Sequence, residues 1–159
     1  MTVLTVGIGG LEVTTDRSAV LVTHALGSCI AVLVHDPVRG AAGMLHFQLP
    51  SSALAPDRAR LQPGVFADTG IPLLLDKLFA LGCRKGNLVV KATGGGRFND
   101  PDALFDIGRR NHTAMRKILW REQVLVSAED VGGSRSRTAR LFVDSGQVTI
   151  QSGSAVVPL

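Results

Sequence analysis

A chain of 159 residues with 45% hydrophobic and 19% charged side chains has the size and composition of one ordinary domain with a real core, which excludes wholesale disorder. The net charge of +4 is a modest basic bias, and 4% aromatic residues, set apart from the basic clusters, make no stacking platform for single strands, so no nucleic-acid binding is expected. No apolar run approaches bilayer length and the start MTVLTVGIGGLEV lacks the pattern of a secretory signal, so the expectation is a cytoplasmic protein with no membrane insertion.

Eighteen glycines, clustered in turn-like pairs and triplets, favour an α+β (mixed α/β) domain spanning residues 1–159 over a helical bundle. Thr2 to Val13 reads as strand, turn and strand around Gly7-Ile8-Gly9-Gly10, and Ala19 to Val22 as a short β run followed by a loop from His24 to Ser28. Ile30 to Val34 is a near-continuous apolar run, the pattern of a strand buried on both faces. Asp36-Pro37-Val38-Arg39-Gly40 is turn chemistry, and Gly43 to Leu49 returns as a partner strand stopped by Pro50. If Asp36 pairs with Ala41, then Ala31 lies opposite His46. Cys29 falls on the same face as Ala31, diagonal to the histidine and roughly 7–8 Å from it at Cβ.

Ser51 to Gly64 reads as an exposed loop. From Phe66 an apolar stripe at three- and four-residue spacing (Ile71, Leu74, Leu75, Leu78) predicts a helix capped by Asp68 or Thr69, with Pro72 in its first turn and Gly82 at its end. Asn87 to Ala92 is a further β run leading into Gly94-Gly95-Gly96-Arg97, where the spacing is wrong for a phosphate loop and a flexible loop is expected. A second helix is predicted over Ala103 to Glu122, with Ile107, Met115, Ile118 and Leu119 inward. Strands follow at Val124 to Ala128, Ala139 to Val143 and Gln147 to Gln151, and the arginines of the Ser134–Arg140 segment read as a basic surface.

Two cysteines make no disulfide framework, and with the four histidines they show no metal-ligand spacing, so no cofactor or metal is expected. Cys29 has two readings, a nucleophile or a small packing residue. The tight Leu26-Gly27-Ser28 turn before it, where the backbone N–H groups of Gly27 and Ser28 can stabilise an oxyanion, favours the first. His46 likewise is either a core histidine or the base that activates the thiol, and a threonine at a strand end such as Thr23 either orients that base or is only a strand residue. The residues alone leave these alternatives open.

Taken together and in order, Thr23 with Leu26-Gly27-Ser28-Cys29, His46-Phe47 with Leu49-Pro50, Phe66-Ala67-Asp68, Lys91 with Gly94-Gly95, Gly108 with Arg110-Asn111, and Asp130-Val131-Gly132-Gly133 make the chain resemble the CheD family of chemoreceptor glutamine deamidases over nearly its whole length. The resemblance implies layered β-sheets with two main helices outside, a fold shared with certain toxin deamidases. It implies Cys29 as nucleophile, His46 as its acid–base partner and Thr23 as the residue that orients His46. It also implies a reaction, hydrolysis of glutamine side chains of methyl-accepting chemoreceptors to glutamate, and a further partner in some bacteria, a CheC-type phosphatase. Two other functions compete: a regulator of such a phosphatase with little catalysis of its own, and a cysteine protease or small-molecule amidase using the same pair. The chain departs from the family's usual pattern at Phe66, at Gly96-Arg97-Phe98 and at Ser134–Arg137.

Overall fold

The computed structural model describes residues 1–98 and 106–159. Among these, the strands are β1 (Thr2–Thr5), β2 (Leu11–Thr14), β3 (Ala19–Leu26), β4 (Ile30–Asp36), β5 (Ala41–Phe47), β6 (Val89–Gly94), β7 (Val126–Val131), β8 (Arg137–Phe142), β9 (Val148–Ser152) and β10 (Ala155–Pro158). The helices are α1 (Pro56–Leu61), α2 (Ala67–Ala80) and α3 (Ile107–Arg121). The strands form two five-stranded sheets, ordered β1-β3-β8-β9-β10 and β2-β5-β4-β6-β7.

The pleat of β4 shows how the layers stack. Its even residues Ile30, Val32 and Val34 share a core with Leu74, Leu75 and Leu78 of α2 and Met115 and Leu119 of α3. Its odd residues Ala31 and Leu33, preceded by Cys29, share the other core with Leu21, Ala139 and Leu141 of the facing sheet. A strand covered on both sides must be apolar at every position, which is why Ile30–Val34 is a continuous run. The order is therefore sheet, sheet, helices, and burying each such side chain contributes roughly 1.5–3 kcal/mol. The layered mixed α/β architecture is the expected one.

The β4–β5 register is also the expected one, with Asp36 opposite Ala41 and Ala31 opposite His46. Asp36 fixes the turn by accepting from the N–H groups of Val38 and Arg39, both at 2.9 Å.

Several local expectations need correction. Ser51 to Gly64 is no featureless loop. It holds a 3-10 turn at Ser52–Leu54, helix α1, and a second 3-10 turn at Pro63–Val65, with Ala59, Gly64 and Val65 buried. Neither Asp68 nor Thr69 caps α2, which starts at Ala67 and so places Pro72 in its second turn. The Asp68 carboxylate accepts instead from Ser52 N and Oγ, at 2.8 and 2.7 Å, and the Thr69 hydroxyl donates to Pro63 O. Strand β3 continues into the segment expected as a loop as far as Leu26, with an irregularity between Thr23 and Leu26 and Ala25 at φ 56°. Strand β7 begins and ends later than expected, and β10 pairs with β9 at an edge where no strand was read. Residues 103–105 of the second predicted helix lie outside the described residues.

Candidate active site

His46 sits on β5 two residues beyond Met44, so the pleat points it into the space between the sheets. Thr23, two residues beyond Leu21 on β3, points into the same space from the other sheet. Both are buried, at 0% and 1% exposure for Thr23 and His46. The Thr23 hydroxyl donates to Val6 O at 2.5 Å and lies 2.7 Å from His46 Nδ1. A hydroxyl has one proton, and a carbonyl can only accept it. Nδ1 must therefore carry a proton and donate to Thr23 Oγ1, which leaves the lone pair of the imidazole on Nε2. That nitrogen is buried and has no hydrogen-bond partner. The backbone of His46 is held as well, by Gly9 N donating to His46 O and His46 N donating to Gly10 O.

Cys29 lies beside this pair, in the core between the sheets, at 9% exposure. It shares a face with His46 across the β4–β5 pair, without a hydrogen bond to Nε2. Burial shifts both groups towards neutrality: it raises the Cys29 thiol, opposed by the backbone N–H of Cys29 itself, and lowers His46 to about 4. Burial thus favours the thiol over the thiolate and the imidazole over the imidazolium.

The turn that carries Cys29 is fixed by three consecutive carbonyls. Gly27 O accepts from Gly96 N and Cys29 O from Gly95 N, both at 2.8 Å, and Ser28 O accepts from Asn111 Nδ2 at 2.9 Å. In a trans peptide the C=O and the following N–H point in opposite directions. Tying down Gly27 O and Ser28 O thus aims the N–H groups of Ser28 and Cys29 away from the glycine loop and α3. Of the two residues expected to supply such donors, Ser28 is oriented by these bonds, and the N–H of Cys29 joins it.

The glycine run Gly94–Gly96 is near the site but pinned, not flexible. Gly94 has φ 111°, and a Cβ there would collide with Cys29 O. A Cβ at Gly108 of α3 would collide with the Gly95 and Gly96 carbonyls. Arg137 braces the same loop. Its guanidinium donates to Gly94 O at 3.2 Å and to Gly132 O at 2.6 Å, and Gly132 N donates to Gly94 O. Arg137 is only 2% exposed, so it does not belong to a basic surface as its neighbours do.

Asn111 was not singled out as a site residue. It is fully buried, and its amide nitrogen also donates to Gln48 O at 2.9 Å, which links α3 to both the Cys29 turn and the chain just past His46. The other histidines lie elsewhere: His35 bonds Val143 O, His112 pairs with Glu129, and His24 is exposed. Among the described residues there is no cluster of three or more His, Cys, Asp or Glu able to hold a metal ion.

A family model described as CheD chemotactic sensory transduction matches residues 48–152. A protein of Anaeromyxobacter dehalogenans described as a probable chemoreceptor glutamine deamidase CheD 2 is 65% identical over 159 residues, covering all of both chains. The chain belongs to the CheD family. The family-model match begins after Thr23, Cys29 and His46, whereas this full-length similarity includes them. A probable chemoreceptor glutamine deamidase CheD of Solibacter usitatus is 45% identical, covering 92% of this chain and 86% of its own. One described as CheD 1 of Syntrophus aciditrophicus is 43% identical and covers 92% of each.

Proposed function

We propose that this protein is a protein-glutamine deamidase acting on methyl-accepting chemoreceptors, with Cys29 as nucleophile, His46 as acid–base and Thr23 as the residue orienting His46. The observation that carries the reading is the Thr23–His46 pair, whose hydrogen bonds leave Nε2 as the basic nitrogen on the face it shares with Cys29.

In this mechanism the glutamine carboxamide enters at the Cys29 turn. Nε2 takes the thiol proton as the sulfur attacks the carbonyl carbon, and the developing oxyanion meets the N–H groups of Ser28 and Cys29. The imidazolium, its other proton held by Thr23, gives a proton to the departing nitrogen, and ammonia leaves. Water then adds to the thioester, again with His46 as base, and glutamate and thiol are restored. No cofactor takes part. The reaction replaces a neutral side chain with a carboxylate on the receptor, in keeping with a cytoplasmic protein; no helix among the described residues is long and apolar enough to cross a membrane.

Incubating the purified protein with the cytoplasmic fragment of a chemoreceptor from the same bacterium, and mapping Gln-to-Glu conversion by mass spectrometry, tests the proposal. Conversion is expected with the parent chain and not with Cys29→Ala. Full conversion by Cys29→Ala refutes the nucleophile, and no conversion by the parent chain refutes the activity.

A further inference from the structure

The outward face of α3 is cationic along its length and ends in an exposed aromatic. Arg109, Arg110, Arg116, Lys117 and Arg121 are all exposed, Arg116 with an ion pair to Glu129 at 3.3 Å, and Trp120, the sole tryptophan of the chain, is 79% exposed with Leu125 beside it at 84%. Helical spacing of three and four lines these side chains up, and the rise along the helix from Arg109 to Trp120 is roughly 16 Å. The inner face of the same helix, through Gly108 and Asn111, packs on the loop and turn that hold Cys29. A groove of about 540 Å³ runs past Arg109, Thr113 and Lys117. It shares Arg97 and Asp106 with a smaller cavity of about 130 Å³ that reaches Ser28. At the far end, cavities of about 400 and 530 Å³ flank Trp120 and Leu125. The track therefore leads from the Cys29 turn to the tryptophan.

We infer that this face of α3 is the docking track for the substrate receptor, engaging an acidic, apolar-edged helical segment that extends from the target glutamine towards Trp120. This rests on the proposed deamidase function. Charge selects the occupant. A second copy of this chain is disfavoured, because a two-fold interface would set the same five cations against themselves. An exposed tryptophan among arginine and lysine is the composition of a protein-binding centre, and a helix bearing carboxylates complements it. One ring at one end of a helix is a poor platform for nucleic acid, which would need a series of rings.

The full-length chain carrying Cys29→Ser binds receptor without consuming it, so its affinity for a dye-labelled receptor cytoplasmic fragment is measured by anisotropy. The expected results are weakening of at least ~tenfold by Trp120→Ala and severalfold weakening by Lys117→Glu with Arg121→Glu. Raising salt from ~50 to ~200 mM weakens the parent and has a much smaller effect on the charge-reversed protein. In chains that keep Cys29, alkylation of that thiol by iodoacetamide stays within about twofold of the parent, showing the turn intact. Unchanged affinity in these variants, loss of Cys29 alkylation in parallel, or failure of the parent to bind the fragment overturns the inference. So does displacement of the fragment by a DNA duplex whose binding the same substitutions abolish. Binding that depends on the track, without glutamine conversion by the Cys29-bearing chain, overturns the deamidase reading and leaves the docking surface standing.

Discussion

Burial of a neutral His46 predicts how stability depends on pH. The imidazole is 1% exposed, its Nδ1 proton is committed to Thr23, and the carbonyl that Thr23 bonds cannot donate. Its pKa falls from 6.5 to about 4 for the cause of desolvation. The unfolded chain binds a proton at this residue below its unfolded value, and the native chain does not until near 4. The stabilising contribution is thus complete above the unfolded pKa and is lost as pH falls through the window between the two values. From the linkage relation the loss is about 2 kcal/mol at about pH 5 and about 3 kcal/mol at about pH 4. Urea unfolding of the parent chain and of His46→Gln between about pH 8 and pH 4 isolates this group, since the other titrating residues are common to both. The variant is less stable at neutral pH, and the difference between the two shrinks as pH falls. Parallel curves refute the argument, because they mean His46 is protonated as readily in the native state as in the unfolded one.

Thr23→Val leaves both Val6 O and the Nδ1 proton of His46 unpaired in the core, and is expected to cost about 2 kcal/mol and to lower kcat by ~100-fold, while Thr23→Ser retains most of both; unfolding curves and conversion rates check this. Asn111→Leu removes the bonds to Ser28 O and Gln48 O. It is expected to lower kcat for conversion by at least ~tenfold while iodoacetamide, whose attack develops no oxyanion, still alkylates Cys29. Arg137→Met unbraces the Gly94 loop and is expected to destabilise by about 2 kcal/mol in denaturant titration. With excess iodoacetamide, peptide mapping finds Cys29 modified well before Cys83, whose thiol is pushed to about 11 by burial and the Asp36 carboxylate.

The hairpin was legible because its signals are local: Asp36-Pro37 and Gly40 define the turn, and the two-residue pleat then fixes the face of every position. For Thr23 the residues left two readings and only the resemblance chose between them, since its place opposite His46 depends on two sheets packing, and no spacing within either strand encodes that. Asn111 did leave a mark. It lies four residues from both Ile107 and Met115, two positions predicted to face inward, of which Met115 is buried and Ile107 only half-buried, and a polar side chain on an apolar stripe announces a buried hydrogen bond. Arg137 left a similar one, since Ala139 and Leu141 follow it at period two on the buried face of β8. Reading the Ser134–Arg140 arginines by charge density alone concealed that difference. The 3-10 turns and α1 after β5 were missed because their helical stretches are too short to show a periodicity.

A neutral thiol–imidazole pair changes where the catalytic power must come from. An ion pair formed in advance would supply a thiolate at rest, whereas in the proposed mechanism the sulfur becomes an anion only as Nε2 takes its proton. The charge then moves at once to the carbonyl oxygen of the substrate. Whatever stabilises that oxygen must already be in position, because donors fixed in advance cost no reorganisation as the charge develops. The N–H groups of Ser28 and Cys29 meet this condition through bonds made on their far sides, from Gly96 to Gly27 O and from Asn111 to Ser28 O. In the proposed mechanism the rigidity of the glycine loop, of Gly108 and of Arg137 is therefore part of the chemistry. It follows that variants of Asn111 should lose kcat more than affinity, and that raising the pH to ionise Cys29 should not rescue them. Rescue at high pH would show that thiol ionisation, and not oxyanion stabilisation, limits the reaction.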